Sequence, residues 1–407
     1  MIIKKIFKKI LQLLSFVYSL VNLLILILKV DFKNRTVFLQ PEGGFAHTIL
    51  SPEVLKRIYK KSTWCIIFGY EIRRHNYLTK NLYEGHFFWL KLSVPLKKIS
   101  VIDQRYKDII FKVLACYLNL KKIKFLYYTD FISKYDNLHL KKIHSNFNKE
   151  GMLMHEYNAY KIFNQSKYVP EELFSQKIKN FYLNKTTKKK CGIAFKNKSP
   201  NHNYTNERSS DDLQNYKKSF FWLVQQGWEI YLYGDEILKI PEWFKEIESS
   251  IFYQKKSGLK RDEFNLKCGL ICDCFIGPSS GASSWKYIFH NKPQLIIDSY
   301  PIGWGYFNSV VSFKFISKHN KLKYLSEILD DKIYILKKPP FLSRYSNENE
   351  KYLIIKNFIK NLENLDNETI KPGDLKLYHD HPLVWSKTLI SKTWFDMQNQ
   401  LLVKNNL

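Results

Sequence analysis

Residues Leu270–Pro301, LICDCFIGPSSGASSWKYIFHNKPQLIIDSYP, narrow the choice of folds more than any composition figure does. The apolar run ending Cys274-Phe275-Ile276 predicts a short strand. Gly277-Pro278-Ser279-Ser280-Gly281 then predicts a small-residue loop, and 282–289 a helix stopped at Asn291. Pro293 opens a second apolar run, Leu295-Ile296-Ile297, ending in Asp298. Strand, tight loop, helix and strand make a βαβ unit. The loop feeds a helix start, where free backbone N–H groups and the helix dipole favour an anion. Small residues let a phosphate reach the backbone, and Ser279, Ser280, Ser283 and Ser284 can add hydroxyl donors. An ordinary turn uses the same residue types.

The pattern recurs along the chain. Thr36-Val37-Phe38-Leu39-Gln40 predicts a strand, followed by a Gly43-Gly44 loop. A helix is expected from Ser51 to about Lys61, with Ser51 as N-cap and Pro52 in the first turn. A strand at 64–68, a helix near 103–120 and a strand near 123–128 extend this first series. A second series starts with a strand at 191–195 and a polar loop containing Lys196 and Arg208. A helix ending at Gly227 and a strand closed by Gly234-Asp235 follow. A further helix is expected over 347–365. Two such series predict two doubly wound α/β domains, which bind ligands beyond the carboxyl ends of their strands and face a shared cleft.

The N-terminus, MIIKKIFKKILQLLSFVYSLVNLLILILKV, is apolar from Ile10 to Leu28, near the minimum for a membrane span. No Ala-x-Ala-type cleavage site follows it. At helical spacing Lys4, Lys8, Gln12, Ser15, Ser19 and Asn22 fall on one stripe, continued by Lys29 and Lys33. That stripe predicts an amphipathic helix in the membrane interface; a single span is the alternative. The net charge of +28 is carried mostly by lysine and comes without a zinc-finger, RNP or zipper signature. An anionic membrane surface or an anionic ligand explains it at least as well as nucleic acid; no nucleic-acid partner is expected, and a basic nucleic-acid-binding protein is the lesser alternative. Cys65, Cys116, Cys191, Cys268, Cys272 and Cys274 lack zinc-ligand spacing and read as free thiols. His379-Asp380-His381 could hold a metal or lie in a solvated tail.

Three segments resemble bacterial glycosyltransferases of the GT-B type. They are Gly43-Gly44-Phe45-Ala46-His47-Thr48; Arg208-Ser209-Ser210 with Gln226-Gly227-Trp228 and Tyr233-Gly234-Asp235; and Phe275–Ser284. The likeness is to a glycosyltransferase family known mainly from sequence and, more loosely, to lipopolysaccharide heptosyltransferases. Ala46 stands where a Gly is usual, and Pro278-Ser279 where Thr-Asp is usual, so no acidic role passes to position 279. After the membrane-associating helix at 1–30, the resemblance implies an acceptor-side domain at 31–185. A nucleotide-sugar domain at 186–345 and C-terminal helices with a tail at 346–407 complete the chain.

The implied activity is transfer of a sugar from a nucleotide-sugar donor to a cell-surface glycan or glycolipid, at the cytoplasmic face of the inner membrane. The chain has no Asp-x-Asp triplet to clamp a metal on a diphosphate, so a metal-free, inverting reaction without other cofactor is expected. Positive charge and backbone donors must then stabilise the leaving diphosphate. The candidate donor-binding residues are Gly43, Gly44, Lys196, Arg208, Asp235, Gly277, Ser279, Ser280, Gly281 and Ser283. Asp235 would bind the nucleoside or cap a turn. His47 would be the general base or a phosphate donor, with Glu42 as the alternative base. A His47 that merely caps the following helix is the structural alternative.

Overall fold

The computed structural model describes residues 2–41, 45–59, 63–70, 85–92, 104–128, 130–131, 187–198, 209–278, 292–299, 309–318, 321–323, 327, 341–370 and 389–406. The chain divides into two units, Met1–Ser175 and Gln176–Leu407.

The first unit contains α1 (Ile2–Lys29), β1 (Thr36–Gln40), α2 (Phe45–Ile58), β2 (Trp64–Tyr70), β3 (Phe87–Lys91), α3 (Gln104–Leu120) and β4 (Phe125–Tyr127). Its sheet is parallel, in the order β3-β2-β1-β4. Every residue of β1 is buried, as expected of a parallel strand covered on both faces. Side chains alternate across the sheet. Val37, Leu39, Cys65, Ile67 and Leu90 share one core with Leu23 and Leu26 of α1 and Ile110, Leu114 and Leu118 of α3. Phe38 points the other way and meets Tyr59, just past α2, edge-on at 5.3 Å. Sequence reading does not anticipate β3: Phe87-Phe88-Trp89-Leu90 carries no clean polar alternation to mark a strand.

Two expectations for this unit are corrected. Ser51 does not cap α2, which already begins at Phe45, directly after the Gly43-Gly44 segment; Pro52 lies inside it. Proline removes one intrahelical hydrogen bond, but the buried contacts of Val54 and Leu55 hold the helix through it. The second correction concerns the polar stripe of α1. Ser15 and Ser19 are buried rather than turned to water, in line with Leu11, Leu23, Leu26 and Val30. Ser19 Oγ donates to the Ser15 carbonyl at 2.6 Å, so its hydroxyl is satisfied by the helix itself. Small serines and bulky aliphatics thus share the buried face, and a second set of aliphatics is left outside.

The second unit contains β5 (Lys190–Phe195), α4 (Lys217–Gln225), β6 (Glu229–Gly234), β7 (Ile251–Tyr253), α5 (Arg261–Ile271), β8 (Cys274–Gly277), β9 (Gln294–Ser299) and β10 (Val310–Phe313). A small antiparallel sheet of β11 (Phe315–Lys318), β12 (Lys321–Leu322) and β13 (Phe341–Arg344) follows. The chain then adds α6 (Glu348–Lys360), β14 (Leu389–Ile390) and α7 (Lys392–Asn406). The main sheet is parallel, in the order β14-β10-β9-β8-β5-β6-β7.

Gly227 closes α4 in the left-handed region at φ 79°, as its sequence position predicts. The N–H groups of Gly227 and Trp228 satisfy the carbonyls of Val224 and Leu223, a Schellman close. Asn347 and Glu350 form a capping box at the start of α6. The C-terminal residues complete this unit: β14 pairs with β10, and Trp394 of α7 is fully buried 5.2 Å from the Phe313 ring. The cysteines are free thiols, and all but Cys116 are buried. A hydrogen bond with Cys274, together with burial, holds the Cys191 thiol well above its usual range. Thiolate chemistry at that position is thereby disfavoured.

Candidate functional site

The strand order of the second unit locates a crevice. From β5 the chain moves outward through β6 and β7, then returns to place β8 on the other side of β5. The loops after β5 and β8 therefore leave the sheet in opposite directions at their carboxyl ends, a topological switch point.

Gly277 ends β8 at this crevice. A Cβ there would lie 2.5 Å from the Ala194 Cβ of β5, so glycine is what lets the two strand ends approach. The segment beyond, with Ser279, Ser280, Gly281 and Ser283, lies outside the described residues.

Lys196 leaves β5 and is bracketed by one serine. Its N–H donates to Ser210 Oγ at 2.9 Å, and the Ser210 N–H donates back to its carbonyl at 2.9 Å. The polar loop thus departs and returns at one point on the sheet edge. Arg208 lies outside the described residues, but the serines that follow it are anchored. Ser209 Oγ lies 3.0 Å from the Tyr345 hydroxyl, in hydrogen-bond contact.

One carboxylate oxygen of Asp235 caps a turn. Its Oδ2 accepts from the Asn197 N–H at 2.9 Å, and its own N–H donates to the Phe195 carbonyl at 2.8 Å. Gly234 precedes it at φ 105°, where a Cβ would meet the Phe195 carbonyl oxygen at 2.3 Å. A side chain is therefore excluded there on two counts. Asn265 holds the same glycine through both its N–H and its carbonyl.

Beside the β5 loop, between residues 195–198, 210–217 and 237–246, lies a cavity of about 920 Å³ that Gly277 does not line. That is within the range of small-molecule sites, roughly 300–1,000 Å³. Lys196, Lys198, Lys217 and Lys239 line it, as do Asp211, Asp212, Glu242 and Glu246. The formal charges balance, so selectivity for an anion must come from where the lysines and N–H groups point, not from net charge.

Sequence reading misses the group that holds this edge together. Lys351 of α6 is fully buried between Asp211 Oδ2 at 2.8 Å and Asp298 Oδ2 at 2.7 Å. Asp298, on β9, sits at φ 53° and accepts from the Ser346 N–H and hydroxyl at 2.8 and 2.7 Å. Burial, and then the charges of Asp298 and Asp211, push the neighbouring Tyr216 phenol well above its ordinary value. Lys314, also buried, lies 4.0 Å over the Tyr345 ring. The one local signal was the Asn347/Glu350 capping box; the partners of Lys351 are far away in sequence.

In the first unit, Glu42, Gly43 and Gly44 lie outside the described residues. His47 falls in the first turn of α2. Among the described residues no group of three or more His, Cys, Asp or Glu side chains could hold a metal ion. His379-Asp380-His381 lies outside them.

No family model and no curated protein matches the chain. Among solved structures it is similar to a glycosyl transferase family 9 protein from Veillonella parvula. The two are 11% identical, the match covers 83% of this chain and 98% of that one, and the TM-score is 0.42. It is also similar to the E. coli heptosyltransferase WaaC with ADP-2-deoxy-2-fluoro heptose, at 8% identity, 68% and 92% coverage and TM-score 0.36. The iron-containing dodecameric glycosyltransferase TibC of enterotoxigenic E. coli matches at 13% identity, 92% and 78% coverage and TM-score 0.37. Heptosyltransferases, the looser likeness drawn from the sequence motifs, are thus among the structures this chain is similar to. Likeness at this level assigns no role to any residue, and the functional reading rests on the chain's own site.

Proposed function

We propose that the chain is a GT-B-type glycosyltransferase that moves a sugar from a nucleotide-sugar donor to a surface glycan or glycolipid. The observation that carries this is the crevice at the carboxyl ends of β5 and β8, with its adjoining cavity. Two loops of suitable chemistry leave the sheet there. One begins at Gly277 and offers small residues and hydroxyls; the other begins at Lys196 and returns through Arg208.

In this reading residues 186–345 hold the donor, and residues 31–185 take the acceptor. Lys196, Arg208 and the N–H groups of the 277–283 segment stabilise the negative charge that grows on the leaving diphosphate. His47 removes the acceptor hydroxyl proton as that oxygen attacks the anomeric carbon, with Glu42 as the rival base. A single displacement of this kind inverts the anomeric centre and needs no metal. Asp235, already engaged by Asn197, shapes the donor loop rather than serving as a ligand. The enzyme works at the cytoplasmic face of a membrane, where nucleotide sugars and a lipid-linked acceptor meet, and α1 attaches it there.

A thermal-shift series with ADP, UDP and GDP tests the donor site, since a ligand that binds only the folded state raises Tm. Release of nucleotide from the matching sugar donor tests transfer. His47→Ala should lower the transfer rate about 10²- to 10⁴-fold with little change in donor affinity. If Glu42→Ala gives that loss instead, the base is reassigned. Nucleotide binding without turnover on any acceptor would make the chain a sugar-nucleotide-binding protein.

A further inference from the structure

The outward face of α1 carries exposed apolar side chains from Ile6 to Leu28. Ile6, Phe7, Ile10, Leu13, Leu14, Val17, Val21, Leu24, Ile25 and Leu28 are all exposed, Leu28 by 77%. Its opposite face is held on the first unit from Leu11 to Val30. The neighbouring helix α3 repeats the arrangement. Ile110, Phe111, Leu114 and Leu118 are buried in the core, while Ile109, Val113, Cys116 and Leu120 are exposed, Leu120 by 82%. The spacing of that exposed set, four, three and four, makes a stripe along the helix.

The two stripes lie side by side. The rings of Phe16 of α1 and Tyr106 of α3 lie 4.9 Å apart, tilted by 33°, which marks a point where the two helices touch. At helical spacing Leu13, Val17 and Leu24 of α1 and Ile109, Val113 and Leu120 of α3 flank that contact, and the polar residues of α3 (Arg105, Asp108, Lys112 and Asn119) fall on its far side. Charge around this surface is mostly positive. Lys9, Lys29, Lys33, Arg105, Lys112, Lys121, Lys122 and Lys124 are exposed, against Asp31 and Asp108.

We propose that α1 and α3 together form a two-helix platform that seats the first unit on an anionic bilayer, with α1 lying in the membrane plane. This deepens the membrane attachment in the proposed function by adding a second helix and a fixed orientation. A helix whose inner face is packed on the core of the unit from Phe16 to Val30, about four turns, cannot also cross the bilayer while the unit stays folded. A second copy of the chain would bring two cationic rims together, whereas anionic headgroups neutralise the rim. The apolar stripes enter the acyl boundary, as in interfacial helices.

Flotation of the full chain with phosphatidylglycerol/phosphatidylcholine vesicles, and with phosphatidylcholine alone, tests this without donor or acceptor. Its outcome is therefore separate from that of any transfer assay. The wild type should bind the anionic vesicles more tightly and be released in part by high salt. Val113→Glu/Leu120→Glu changes only exposed positions and should retain its Tm, yet bind about tenfold or more weakly. Unchanged vesicle binding by that variant overturns the platform. Resistance to both salt and carbonate overturns the in-plane orientation. Dimers in solution that the same double variant abolishes, without vesicle binding by the wild type, would make the face an interface between copies.

Discussion

Lys351→Met is the sharpest probe of how the candidate donor edge is held. The substitution keeps length and apolar volume but removes the cation between Asp211 and Asp298, whose side chains are 12% and 3% exposed. Both carboxylates are then left without their ion pair. Asp298 keeps its bonds from Ser346, and Asp211 keeps one from Asn215. Breaking a buried ion pair by removing one partner costs about 3–5 kcal/mol. For a unit the size of residues 176–407, each kcal/mol moves Tm by about 2–4 °C, so the drop should be about 6–20 °C. Circular dichroism melts and urea titration read it directly. Because Asp211 follows the Ser209-Ser210 anchor and lines the cavity, nucleoside diphosphate affinity should fall even well below the melting range. Lys351→Met/Asp298→Asn removes one stranded charge and should regain about 1–3 kcal/mol. A Tm change under about 2 °C for the single variant, or a double variant no more stable than the single, would refute the buried-charge account.

Gly277→Val should push β5 and β8 apart where Ala194 sits, costing about 1–3 kcal/mol. It should also weaken nucleoside diphosphate binding at least tenfold by calorimetry; unchanged affinity would remove the donor from this crevice. A pH test comes from Glu368, whose carboxyl is raised above its ordinary value by burial, against the lowering effect of hydrogen bonds from Thr393 and Ser391. A raised folded-state pKa means the native protein binds that proton more tightly than the unfolded chain. Its stability contribution is full below the ordinary carboxylate pKa and is lost as pH rises through the raised one. Across that window the Tm of the wild type should decline relative to Glu368→Gln, and parallel pH profiles would show that Glu368 is not the group responsible.

The alternation of strands and helices in both units is legible in the sequence because it is written locally. Apolar runs at β1, β5, β6 and β8 are separated by turn chemistry, and Gly227 marks a helix end that only a residue tolerant of positive φ can make without strain. The candidate site is legible to the same depth. Lys196, Asp235 and Gly277 can be picked out as residues at strand ends, and the fold gathers them at one edge of one sheet. Tertiary structure decides what local pattern leaves open. Ser15 and Ser19 of α1 are polar by type, yet they turn inward with Leu11, Leu23 and Leu26, because small side chains fit there and the helix itself satisfies the Ser19 hydroxyl. Asp235 is suited by type to bind a nucleoside or to cap a turn, and only the fold brings the Asn197 N–H to one of its oxygens. Lys351 is one lysine among many in the sequence. Only the folded chain brings it between two carboxylates from distant segments, where burial makes the pairing strong and its loss costly.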